Sequence, residues 1–115
     1  MIEQVKSLVR YIQLPREAKA ATRKDKGGIA ILDPGPDRVI REGVEWLCRA
    51  QDRTASKDGG VARDYSLVKG WATSYPETTG YIVPTMLDCA RYTGNPDYRQ
   101  RAEKMLDWLA AIQLP

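Results

Sequence analysis

The 115-residue chain contains no histidine, no phenylalanine and only two cysteines. Without histidine, imidazole acid–base catalysis, Ser-His-Asp triads, Cys-His dyads and His-based zinc sites cannot be assembled from this chain alone. Cys48 and Cys89 lack CxxC spacing, and no signal peptide precedes them. Both fall on helix faces expected to be buried, so they read as free, reduced core thiols of a cytoplasmic protein. No glycine-rich phosphate loop, EF-hand or metal-ligand cluster occurs, and the apolar stretches are short. Neither cofactor, metal nor transmembrane segment is therefore expected.

What the chain does contain is ordinary for one globular domain: 43% hydrophobic and 29% charged residues, with a net charge of +3. The charge is unevenly placed. Residues 1–28 hold Lys6, Arg10, Arg16, Lys19, Arg23, Lys24 and Lys26 against Glu3, Glu17 and Asp25, a local +4. An excess of this size fits a solvated arm and does not specify a nucleic-acid partner.

Four segments carry helical periodicity, and none alternates convincingly with period two, so the expected class is all-α. Ile2, Val5, Leu8, Val9 and Ile12 align on one face of a first helix over 2–13, whose expected role is docking onto the core rather than lying on a membrane. A lysine-, glycine- and proline-rich loop is expected over 15–36, and residues 1–36 form the N-terminal part of the chain. Residues 37–115 hold the hairpin repeats. Their first helix starts at Asp37 as N-cap and buries Ile40, Val44, Leu47 and Cys48. A polar, glycine-bearing connection spans 52–73, long enough to suggest function or docking.

The next helix opens at Ser74-Tyr75-Pro76-Glu77, which reads as a capping box, and closes at Thr93-Gly94, with a kink or break expected near Pro84. Asn95-Pro96-Asp97 starts the last helix, with Tyr98, Ala102, Met105, Leu109 and Ile112 facing inward. The Gly94-Asn95 connection forces these two helices into an antiparallel hairpin. Leu106 and Trp108 lie beyond the inward stripe, which predicts self-association or a partner chain at the C-terminal helix.

Helix ends repeat. Trp46-Leu47-Cys48-Arg49-Ala50-Gln51 matches Trp108-Leu109-Ala110-Ala111-Ile112-Gln113 at an offset of 62, Leu8–Gln13 is a weaker copy, and Ile-Gln-Leu-Pro recurs at 12–15 and 112–115. Self-similarity of this kind marks stacked helical units.

The Trp-Leu helix ending in Gln, followed by Asp58-Gly59-Gly60 and by the stretch from Gly70 to Thr85, resembles the α/α-toroid superfamily. That superfamily includes terpene (terpenoid) cyclases, protein prenyltransferase β-subunits and six-hairpin carbohydrate-active enzymes. The 70–85 stretch is similar to bacterial toroid proteins associated with polysaccharide biosynthesis. The Asp-x-Asp-Asp motif of the hopene-type cyclases and the Asp, Cys and His zinc set of the prenyltransferases are absent, so neither activity carries over. About two hairpins are present where a closed toroid needs five or six. The resemblance therefore implies part of an α/α toroid, the opening of a longer protein or a relative that completes its core by association.

Candidate chemistry concentrates over 64–81 and along one polar stripe of the 76–93 helix. Tyr65, Trp71, Tyr75, Tyr81, Thr85 and Tyr92 are candidate ligand-binding residues, because sugar C–H faces pack on rings while hydroxyls bond to polar groups. Asp64, Glu77 and Asp88 are candidate catalytic carboxylates for glycoside hydrolase or lyase-like chemistry. Capping competes with catalysis for Glu77, and core packing with stacking for Trp71 and Tyr75. Three readings follow: a partial toroid domain binding a carbohydrate or polysaccharide intermediate through 64–81, a carbohydrate-active enzyme using paired carboxylates, and a structural helical module that joins a partner chain.

Overall fold

In the computed structural model, residues 1–29 and 32–113 are described; Leu114 and Pro115 of the Ile-Gln-Leu-Pro repeat lie outside them. The chain is mainly α-helical: α1 (Ile2–Gln13), α2 (Arg16–Lys26), α3 (Pro36–Asp52), α4 (Pro76–Thr93) and α5 (Pro96–Ala111), with one two-stranded hairpin, β1 (Tyr65–Ser66) and β2 (Gly70–Trp71). It divides into two compact units. One comprises Met1–Asp33 with Ser66–Gly70, the other Pro34–Tyr65 with Trp71–Pro115.

Within the first unit, α2 replaces much of the loop expected over 15–36. Its sequence lacks an apolar stripe, but alanines and long charged side chains are strong helix formers, with Glu17 in the first turn and Arg23, Lys24 and Lys26 in the last. No residue of α1 is buried. Tyr11, Leu14, Ala18, Lys19 and Thr22 are half-buried instead, and the Lys19 ammonium donates to the Ile12 carbonyl at 2.9 Å.

The second unit holds the core, built from Val44, Cys48 and Ala50 of α3, Val61 of the connection, Val83 and Met86 of α4, and Tyr98, Ala102 and Met105 of α5. α3 starts two residues earlier than an N-cap at Asp37 would place it. Gly35, at φ 82°, stands at the N-cap and Pro36 leads the helix, leaving Asp37 in the first turn to bind Arg41 at 3.0 Å. α4 runs unbroken through Pro84. The proline supplies no N–H to the Gly80 carbonyl four residues back, so the helix continues through it with one hydrogen bond fewer. Left-handed Gly94 ends α4, and Asn95 caps α5 by accepting the Asp97 N–H at 3.0 Å, so the two helices fold back as a hairpin. Ile112, expected inward, is exposed because α5 ends at Ala111. Both cysteines are unpaired, Cys48 buried and Cys89 half-buried.

Candidate functional site

The 52–73 connection is better ordered than a polar loop. Val61 and Ala62 are buried, and Ala62 forms an antiparallel bridge with Ser74. The Arg63 N–H donates to Thr73 O and the Ala72 N–H to Asp64 O, each at 3.0 Å. These ladder bonds fix where the Asp64–Trp71 segment leaves and rejoins the helices. Buried Thr79 reinforces the arrangement: its hydroxyl accepts the Val61 N–H at 2.9 Å and donates to the Tyr75 carbonyl at 2.8 Å.

The glycine turn gives the repeated Trp-Leu-x-x-x-Gln motif a physical meaning. Gln51 is buried and donates to the carbonyls of Gly59 at 3.0 Å and Arg101 at 3.1 Å. A Cβ on Gly60 would lie 2.7 Å from both Ser74 Cβ and Trp108 Cε3, so the turn fits against the Trp108 ring only as glycine. Trp108 is therefore half-buried rather than open for assembly, while Leu106 remains half-exposed.

The capping box at Ser74 does not form. Tyr75 occupies the N-cap without a side-chain cap bond, and the Ser74 hydroxyl donates instead to Asp58 Oδ1 at 2.5 Å. Asp58 Oδ1 also accepts the Gly60 N–H at 3.2 Å. Desolvation raises the Asp58 pKa, but hydrogen bonds from Ser74, Ser56 and Gly60 outweigh it and hold the carboxyl below its ordinary range. Glu77 is thus released from the capping role and stands exposed in the first turn of α4.

Three rings gather beside the β-hairpin. Trp71 packs against the core and meets Trp46 at 5.1 Å and Tyr65 at 4.8 Å between ring centroids, tilted by 57° and 68°. Trp71 is the base of the cluster; Trp46 and Tyr65 are 45% and 49% exposed. Trp46 was not among the sequence-derived site residues, although its position two residues from Val44 and from Cys48 sets it off the inward face of α3. Asp64, next to Tyr65, is exposed and paired with Arg63 at 2.7 Å.

Thr85, Asp88 and Tyr92 come together elsewhere, around a cavity of about 400 Å³ shared with Ile40 and Cys89. The Tyr92 hydroxyl donates to Asp37 at 3.2 Å, and Asp88 pairs with Arg91 at 2.8 Å. The hydrogen bond from Arg41, and to a lesser extent that from Tyr92, holds Asp37 below the ordinary carboxylate range against a smaller desolvation effect. Tyr75, the N-cap of α4, and Tyr81, in its second turn, are exposed. Glu77 and Asp88 are eleven residues apart on one continuous helix, about 16 Å along its axis, against the ~5–9.5 Å that glycoside cleavage demands of its carboxylates. Among the described residues no helix is long and apolar enough to cross a membrane, and no group of three or more Cys, Asp or Glu is placed to hold a metal ion.

No family model, curated protein or solved structure matches the chain.

Proposed function

We infer that the second unit is a helical-hairpin domain of α/α-toroid type that binds a carbohydrate, such as a polysaccharide intermediate, on the Trp46–Trp71–Tyr65 cluster. The observation that carries this reading is the pair of half-exposed rings held on a core-packed third ring. A fixed aromatic platform offers the C–H faces of a pyranose a large contact without an ordering cost, and the adjacent Asp64 and Arg63 supply hydrogen-bonding groups for its hydroxyls. The Gln51–Gly59 and Gly60–Trp108 contacts support the toroid side of the reading. They join one copy of the repeated motif to the next, as stacked units require.

Binding is favoured over glycoside cleavage. The Glu77–Asp88 separation is too long for two carboxylates acting on one glycosidic bond.

Trp46→Ala tests the assignment, because a half-exposed ring outside the core cluster can be removed without collapsing the fold. The variant should retain the wild-type circular dichroism spectrum and lose at least about tenfold in affinity for any oligosaccharide captured by the wild-type chain on a broad glycan array. Full retention of binding by Trp46→Ala, or no glycan bound by the wild type, refutes the reading.

A further inference from the structure

α1 presents an apolar surface that the aromatic site does not use. Ile2, Val5, Leu8, Val9 and Ile12 are between 48% and 72% exposed, and they occupy one side of a helix with no buried residue. α2 leaves them largely open, lying beside the polar side, where Gln4, Ser7 and Tyr11, with Leu8 at the edge of the stripe, border a groove shared with Thr22 and Lys26. There the Lys19 and Lys26 ammonium groups sit 5.9 and 6.0 Å from the Tyr11 ring centroid. The apolar stripe is thus bordered by Lys6 on its own helix, and residues 1–28 together carry a local charge of +4. Glu3, the acidic residue of α1, is paired with Lys6 at 3.1 Å.

We propose that α1 docks on an anionic lipid surface, its stripe entering the headgroup–acyl boundary while the net positive charge of residues 1–28 draws the unit to the lipid phosphates. The charge decides between occupants. A second copy would bring two +4 segments together across an apolar contact and meet repulsion, whereas an anionic bilayer attracts each cation. A short stripe of five aliphatic side chains gives reversible, salt-sensitive binding rather than permanent anchorage. The inference is independent of the carbohydrate reading, because it concerns only the first unit.

Co-sedimentation of the full chain with vesicles tests it. Vesicles of phosphatidylcholine and phosphatidylglycerol in equal parts should pellet the protein, and vesicles of phosphatidylcholine alone should leave it in the supernatant. Val5→Asp with Val9→Asp should reduce binding by at least about tenfold. Lys6→Gln with Arg10→Gln, which leaves the stripe and the helix propensity intact, should reduce it by about fivefold per cation removed, equivalent to ~1 kcal/mol each. Equal binding to both vesicle types, no binding to either, or an aspartate double variant that binds like wild type overturns the proposal. So does a chain that ignores vesicles and dimerises in light scattering through a contact abolished by Val9→Asp, which would assign the face to a second copy.

Discussion

Replacing Gly60 by alanine should destabilise the second unit markedly. The added methyl would stand 2.7 Å from Ser74 Cβ and 2.7 and 2.8 Å from Trp108 Cε3 and Cδ2. None of these atoms is the far end of a flexible chain, so the indole or the turn must move. Overpacking of this kind costs about 1–3 kcal/mol. Moving Ser74 also weakens its 2.5 Å bond to Asp58, a charge-assisted bond whose loss adds roughly 1 kcal/mol at a solvent-accessible site. The expected loss is therefore ~2–4 kcal/mol, lowering Tm by about 10–20 °C in a unit of this size. Gly43 provides the opposite control. It lies inside α3, exposed, with nothing within 4 Å of an added Cβ, so Gly43→Ala should stabilise by about 0.5–1 kcal/mol. Denaturant unfolding followed by tryptophan fluorescence measures both. A Gly60→Ala variant within about 0.5 kcal/mol of wild type would show that the Gly60–Trp108 contact is not tight, and the account of the repeated motif would fail with it.

Thr79→Val keeps the shape but leaves the buried Val61 N–H without its 2.9 Å acceptor, and should cost about 1–3 kcal/mol in denaturant unfolding while Thr79→Ser costs less. Asp58 makes the unit acid-sensitive. Its folded pKa lies below the ordinary aspartate value of 3.8, so its stabilising contribution is complete above that value and disappears as pH falls through the lower folded value. Tm followed from neutrality through the carboxylate range should drop more steeply for wild type than for Asp58→Asn, and parallel curves would refute the assignment.

The helices with one apolar stripe were legible in the sequence. Val44 and Cys48 of α3, and Tyr98, Ala102 and Met105 of α5, are buried where their spacing put them, because each stripe has a single way to leave water. Asn95 was legible for a local reason as well: its amide oxygen needs only the N–H two residues on. The failures share a different origin. α2 has no stripe, so periodicity could not show it, and composition alone suggested a loop. Ser74 has the correct spacing for a capping box with Glu77, but Asp58, remote in sequence, takes its hydroxyl. Trp108 looked exposed because the glycine turn that covers it lies some 48 positions earlier in the chain. The candidate site residues divided for the same reason, since spacing along α4 separates Glu77 from Asp88 while the connection brings Tyr65 and Trp71 to Trp46.

The two tryptophans at equivalent places in the repeat show how one motif yields two outcomes. Trp108 is packed against Gly60, whose turn is tied down by Gln51, and its ring serves stability. Trp46 occupies the same place in the preceding copy, but its ring meets Trp71 and Tyr65 and stays 45% exposed. The difference resides in the connection rather than in the helices. Gly59 and Gly60 let backbone approach an indole closely, whereas the β1–β2 hairpin delivers side-chain rings that leave part of the indole open. Loss of Trp108 should therefore register in unfolding free energy, and loss of Trp46 in ligand affinity. Equal stability losses in Trp46→Ala and Trp108→Ala, with glycan affinity untouched, would make both rings core elements and leave the aromatic cluster without a binding role.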